Sequence, residues 1–329
     1  SFAREKGYFS GANKDFSFAD AYCPLDFSGL RFCEARVWSY YNMFSKATGQ
    51  AYLSYIQGDS KEPMPLYVKP DQKVSVRDIQ RAMRDHYEGT ALDITKDMGA
   101  GAFNMPYRLS PLTFKVDGVE YFNERPISTQ QTAFTFVAQM RANLPDVVGG
   151  VLWFGLDDAN MTVFTPVYCN TNQVPDVYAE GNGDCVTFSW NSAFWIYNWV
   201  ADMIRPRYSL MVSDMQQVQN ELEDLYANAQ EGVEATAMKL YQQDPLKARD
   251  FLTRYTAMTA KDAVDSWKKL GEFLIVRYND GAVKRVKNGR IVPPETGNCA
   301  PLDRPGYSQE FLQELIKATG DRYKMKELK

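Results

Sequence analysis

YFNERPISTQQTAFTFVAQMRANLPDVVGGVLWFGLDDANMTVFTPVYC, residues 121–169, reads as strands in close succession joined by short polar turns. Residues 133–141 alternate, with Phe134, Phe136, Ala138 and Met140 on one face and Thr135, Val137, Gln139 and Arg141 on the other, which is the period of a strand. Residues 150–156 are apolar on both faces, which predicts a strand in the middle of a sandwich, and residues 161–168 predict its neighbour. Upstream, residues 113–116 and 119–122 flank Asp117-Gly118, a strong hairpin signal. Polar side chains gather just before the alternating strand, at Asn123, Glu124, Arg125, Thr129, Gln130 and Gln131, and Asp157-Asp158 closes another. A rigid sheet that presents polar groups in this way suits a small polar substrate.

Helices flank this run on both sides. Residues 32–47 are crowded with Phe32, Trp38, Tyr41, Met43 and Phe44, which predicts a largely buried helix with Arg31, Glu34 and Arg36 at its entrance. A capping box over residues 75–78 opens an amphipathic surface helix that carries Val76, Ile79 and Met83 on one face, His86 in its last turn and Gly89 as its stop. The glycine-rich DMGAGAFNMPYR lacks the Gly-Lys-Ser/Thr ending of a phosphate cradle and reads as a close-packing turn. Residues 191–205 form an almost wholly apolar helix able to cover a sheet. After Pro206 come polar-faced helices: one from about residue 208, one capped by Asp244 and opened by Pro245, and one begun by a capping box over residues 259–262. The last of these runs to about residue 278 and a short ribbon follows, with Asp280-Gly281 and Asn288-Gly289 as turns. Residues 1–208 and 209–329 are therefore expected as a mixed α+β portion and a mainly helical region packed on it.

Composition excludes several classes. Lysine and arginine number 37 against 41 acidic residues, with no basic tract to neutralise phosphates, so nucleic acid is not an expected partner. No apolar run approaches the roughly 18 residues of a membrane span. The cysteines at 23, 33, 169, 185 and 299 show no Cys-x-x-Cys spacing, and Cys169 and Cys185 bracket a loop that a bridge would close. There is one histidine, His86, so a Ser-His-Asp triad, a Cys-His pair or a multi-histidine zinc site would each have to be built around it. No Ser or Cys nucleophile is visibly arranged there, and a packing role is the simpler expectation. Asp157-Asp158 reads either as turn chemistry or as paired carboxylates that share a proton or bind a hard cation; turn chemistry is the simpler expectation, and no metal or other cofactor is expected.

LDFSGLRFCEARVWS, MPLYVKPDQKVSVRDIQRAMRDHYEGT, TKDMGAG, YFNERPISTQQTAFTFVAQMR, LPDVVGGVLWFGLDD, TPVYC and FSWNSAFWIYNWVADM resemble, in order and spacing, the dipeptidase A type of N-terminal-nucleophile cysteine peptidases. FSGLRF is also similar to a Ser-x-x-Arg-Phe segment of the related bile-salt hydrolases and penicillin V acylases. The resemblance implies a four-layer αββα sandwich, of which this chain is the C-terminal portion, and hydrolysis of dipeptides in the periplasm or outside the cell. It implies a nucleophilic cysteine, N-terminal after processing, whose own α-amino group is the base, which would account for the missing imidazoles.

None of the five cysteines matches that nucleophile, so it is expected upstream of this sequence, on an N-terminal segment that acts as a partner. Ser1 opens a stretch that reads as helix and is not expected to replace it. Arg31 matches the arginine beside the nucleophile; the competing expectation is a local ion pair with Glu34 or Asp26, and Arg36 is the alternative cation. In the set Asn123, Glu124, Arg125, Thr129, Gln130 and Gln131, a carboxylate would meet the dipeptide ammonium and an amide or arginine its carboxylate, or the residues simply hold a polar turn. A bile-salt or penicillin V type amidase and a non-catalytic peptide-binding fragment are the alternative functions, and a homo-oligomer stays open.

Overall fold

The protein is described by a computed structural model covering residues 2–297 and 299–327, so the expectation for Ser1 lies outside the described residues. The described chain divides into two packed units. The first takes the described residues up to Ser75 together with Gly89–Leu92 and Arg108–Ile127. The second takes Val76–Glu88, Asp93–Tyr107 and the described residues from Ser128 onward.

In the first unit a π-helical turn, Leu30–Glu34, leads into helix α1 (Ala35–Phe44). Ala35 and Trp38 are buried, and the Trp38 indole donates to the Gly49 carbonyl at 2.7 Å. The helix expected over residues 32–47 thus begins earlier, ends at Phe44 and is less buried than its composition suggested: Val37 and Met43 stand exposed. Large side chains all round a short helix mark several contact surfaces, and only the stripe through Ala35 and Trp38 is covered among the described residues. The hairpin forms as expected. Strands β1 (Thr113–Val116) and β2 (Val119–Phe122) pair antiparallel, and Asp117 and Gly118 take φ of 50° and 82°, the left-handed pair that a tight two-residue turn requires.

The second unit holds the main core. Helix α2 (Val76–Met83) precedes a three-stranded antiparallel sheet of β3 (Phe134–Met140), β4 (Gly150–Leu156) and β5 (Thr165–Tyr168), in that order across the sheet. Val137 lies opposite Trp153, and Trp153 opposite Pro166, so one face collects Val137, Val151, Trp153 and Tyr168. That face is buried under helices α3 (Ala193–Ile204), α4 (Tyr208–Gln243) and α5 (Pro245–Arg277). The opposite face bears Phe134, Phe136 and Met140, which are 56%, 47% and 61% exposed, and the Phe134 ring stacks on Phe154 at 6.0 Å. Helix on antiparallel sheet gives the α+β class expected.

Ser192 caps α3 through its side chain, and α3 lays Ile196, Tyr197, Val200 and Ile204 into the core, where Tyr197 meets Trp267 edge-on at 5.5 Å. Asp244 accepts from the Leu246 amide and Pro245 opens α5, as the sequence indicated. The capping box over residues 259–262 does not start a new helix. α5 runs through it unbroken, and the Thr259 hydroxyl donates back to the Tyr255 and Thr256 carbonyls. Among the described residues no helix is long and apolar enough to cross a membrane.

The packing of α5 on α3 has a sharp test. A Cβ built on Gly271 would lie 2.3 Å from the Trp199 ring, whereas one on Gly232, on α4, would meet nothing within 4 Å. Gly271→Ala should lower stability by about 1–3 kcal/mol through overpacking. Gly232→Ala should raise it by about 0.5–1 kcal/mol through helix propensity. Denaturant unfolding of the two variants checks both signs.

Candidate functional site

Residues 157–164, between β4 and β5, are all buried, although they form neither helix nor strand. Their backbone is satisfied by side chains from outside the segment. Arg84 donates to the Ala159 and Thr162 carbonyls, Gln219 on α4 donates to the Asn160 and Thr162 carbonyls, and Glu223, one turn further along α4, accepts from the Phe164 amide at 2.9 Å. Arg77 and Arg84 neutralise the buried Glu223 carboxylate. The Asn160 side chain donates to the hydroxyls of Tyr107 and Tyr208 at 3.1 and 2.9 Å.

Asp157 and Asp158 begin this segment and are 1% and 0% exposed. Asp157 has φ of 64°, a left-handed conformation that aspartate tolerates better than most residues. Its Oδ1 accepts from Asn198 on α3 at 3.2 Å, and Asp158 Oδ1 accepts from Ser128 Oγ at 2.5 Å. Arg205, 6% exposed, places Nη2 4.0 Å from Asp157 Oδ2 and 4.0 Å from Asp158 Oδ2, with its guanidinium 5.5 Å from the centre of the Tyr107 ring. Burial, reinforced by the Asp158 charge and opposed by Arg205 and Asn198, pushes the Asp157 carboxyl up to about 7. The pair is a buried turn whose two carboxyl groups are held by separate donors, and among the described residues no three histidine, cysteine, aspartate or glutamate side chains gather as metal ligands.

The six polar residues singled out in the sequence fall in two units. Asn123, Glu124 and Arg125 belong to the first, and Thr129, Gln130 and Gln131 to the second. Asn123 braces the hairpin base, donating to Ser110 Oγ at 2.9 Å and to the Pro111 carbonyl at 2.8 Å. Glu124 lies 3.5 Å from Arg108, and the Arg125 guanidinium stands 4.7 Å from the centre of the Phe32 ring. Thr129 accepts from the Gln131 amide, and Thr132 closes the turn onto the Thr129 carbonyl at 2.8 Å.

Arg31 sits in the π-helical turn, 5.1 Å over the Phe27 ring, and its buried Nε has no hydrogen-bond partner among the described residues. The local ion pair is not formed: Asp26 instead caps Gly29 and accepts from Ser28, and Glu34 accepts from Tyr55. Arg36 folds back on the Phe32 carbonyl at 2.8 Å. His86 does not occupy a helix turn, because α2 ends at Met83. It is fully buried beyond the helix, with Nδ1 2.9 Å from Glu88 and its ring edge-on to Tyr107. Cys169 and Cys185 are free thiols. Sequence reasoning missed Arg205, Asn198 and Ser128. A signal existed for Arg205, a charge closing an almost wholly apolar helix.

A sequence profile for Peptidase family C69 matches residues 1–221. The chain belongs to this family. It is 26% identical over 168 residues to a probable dipeptidase of Salmonella dublin, covering 51% of this chain and 33% of that protein. It is 25% identical over 152 residues to a probable dipeptidase of Latilactobacillus sakei, covering 46% and 28%. A dipeptidase A of Lactobacillus helveticus is 22% identical over 191 residues, covering 58% and 33%. The chain thus spans about a third of the length of these curated relatives. Arg31, the six polar residues and the buried segment all lie within the C69 match, and most of α4 and all of α5 lie beyond it.

The raised Asp157 carboxyl makes stability pH-dependent in a definite direction. Folding favours the protonated acid, so stability falls as pH rises from the ordinary value of 3.8 through about 7. Asp157→Asn removes the ionisation and should stabilise the protein at pH 8 by up to about 4 kcal/mol, at ~1.4 kcal/mol per pK unit, with no gain near pH 4. Thermal melts of both proteins at the two pH values check the sign.

Proposed function

We propose that this chain is the C-terminal portion of a dipeptidase that cleaves the peptide bond of dipeptides with a cysteine lying upstream of Ser1. The observation that carries the reading is the C69 match over residues 1–221, joined by relatives described as dipeptidases that extend well beyond the length spanned here. The thiolate sulfur attacks the peptide carbonyl carbon, and the α-amino group of the same cysteine takes the thiol proton and passes it to the departing amine. Water then attacks the thioester, giving up a proton to the cysteine α-amino group, which returns it to the sulfur as the thioester C–S bond breaks and the second amino acid leaves. An α-amino group titrates near neutrality, so no imidazole is required.

Arg31 is the residue we assign to the thiolate and the developing oxyanion. Its charge has no ion-pair partner among the described residues, and it is carried on a π-helical turn, an element frequent at functional sites. We assign Glu124 to the substrate ammonium and the amide of Asn123 or the guanidinium of Arg125, in the same unit, to the substrate carboxylate. The outward face of the sheet, with Phe134, Phe136 and Met140, is where the upstream segment adds the facing sheet of the sandwich, since an apolar face this open is otherwise costly in water.

Two substitutions in the complete enzyme test the assignments. Glu124→Gln should raise KM for free dipeptides by about tenfold, the scale of a lost charge-assisted hydrogen bond, and leave amino-blocked analogues unaffected. Equal effects on both substrates would remove Glu124 from ammonium recognition. Arg31→Met should lower kcat by about 100-fold with a small change in KM; an unchanged kcat would dismiss the oxyanion role.

A further inference from the structure

We propose that Asp157-Asp158 is a two-point clamp that sets the position of loop 128–133, making Ser128 and Asp158 positioning residues for substrate binding through Thr129, Gln130 and Gln131. The inference rests on the dipeptidase reading for what the loop binds, and on geometry alone for the clamp itself.

The two ends of the loop are held by consecutive residues. At its start Ser128 Oγ donates to Asp158 Oδ1 at 2.5 Å, and at its end the Asp157 amide donates to the Ala133 carbonyl at 2.9 Å. The left-handed backbone of Asp157 lets one residue point its amide at the sheet while the next turns its carboxylate toward Ser128. Ser128 is fully buried, and its hydroxyl and its amide are both engaged. Its hydroxyl also accepts from the Asn160 amide at 3.1 Å, and its own amide donates to the Asp85 carbonyl at 3.1 Å. Between the two anchor points the loop closes on itself, with Thr132 N–H and Oγ1 both donating to the Thr129 carbonyl. Asp157 is in turn tied to α3 by Asn198, and Arg205 faces both carboxylates. The loop is therefore referenced to the helical core rather than to solvent, the arrangement a binding loop needs if its side chains are to be placed within a fraction of an ångström.

The probe is Ser128→Ala in the complete enzyme. Asp158 Oδ1 keeps the Asn160 amide in this variant, so the buried carboxylate is not stripped of partners. Loss of one charge-assisted hydrogen bond should raise KM for Ala-Ala by about tenfold while kcat stays within about twofold. Ser128→Cys, similar in size and a weaker donor, should shift KM the same way by less. Hydrogen exchange supplies a readout independent of turnover: amides 129–133 should exchange about tenfold faster in Ser128→Ala, with α4 unchanged. Unaltered exchange at 129–133 would overturn the clamp. Faster exchange with an unaltered KM, or with kcat and KM falling together, would overturn the role in substrate binding. A wild-type enzyme that leaves dipeptides uncut would instead defeat the dipeptidase reading, while the exchange result would still decide the clamp.

Discussion

Eight residues of irregular backbone, 157–164, are buried inside the second unit, and the arrangement of that unit follows from the need to satisfy them. Connections normally run over the surface because buried amides and carbonyls without partners cost about 1–3 kcal/mol each. Here the partners come from elements distant in sequence. Gln219 and Glu223 are four apart on α4 and so share a face, which fixes the rotation of a 36-residue helix against the sheet. Glu223 is buried and its carboxyl group pairs with both Arg77 and Arg84, which ties α2 and the turn after it to the same place.

The same requirement places the candidate chemistry. Once the segment is pinned, Asp157 and Asp158 are held at its mouth with Arg205 as their counter-charge, and loop 128–133 inherits a fixed position from them. Polar groups held this rigidly differ from a surface turn of identical sequence, in which Asp-Asp-Ala-Asn would only be solvated. The buried Asp157 carboxyl is then a structural cost near neutral pH that the rest of the core offsets, as expected where precise placement rather than stability is selected.

Much of this was legible in the sequence, for identifiable reasons. Asp117-Gly118 specifies its turn by local backbone sterics alone, and the period of residues 133–141 separates two faces without reference to anything else. Periodicity does not say which face is covered. Thr135 and Val137 turn inward while the bulkier Phe134 and Phe136 turn out, because the helices that cover the sheet are recruited from residues 193–277, beyond the reach of a local pattern. Thr259 to Asp262 has the residue types of a helix start, yet the same threonine back-bonds to its own helix when a neighbouring helix already packs along it. At the site, the Asp-Asp pair and the polar run after residue 122 could be read directly. The pairing of Asp158 with Ser128 spans 30 residues, and that of Asp157 with Asn198 spans 41; neither has a local signature.

The chain belongs to a peptidase family, and under the proposed function its reactive sulfur comes from residues preceding this sequence. The direct measurement is to treat the complete enzyme with limiting iodoacetamide and to map the modified residues against residual activity on dipeptides. Cys23, Cys33, Cys169, Cys185 and Cys299 are exposed and free, so they will also react. With an upstream nucleophile, activity falls in proportion to labelling of one upstream cysteine at the mature N-terminus, whatever happens at these five. Inactivation that follows one of the five, or full activity with the upstream cysteine alkylated, would contradict it.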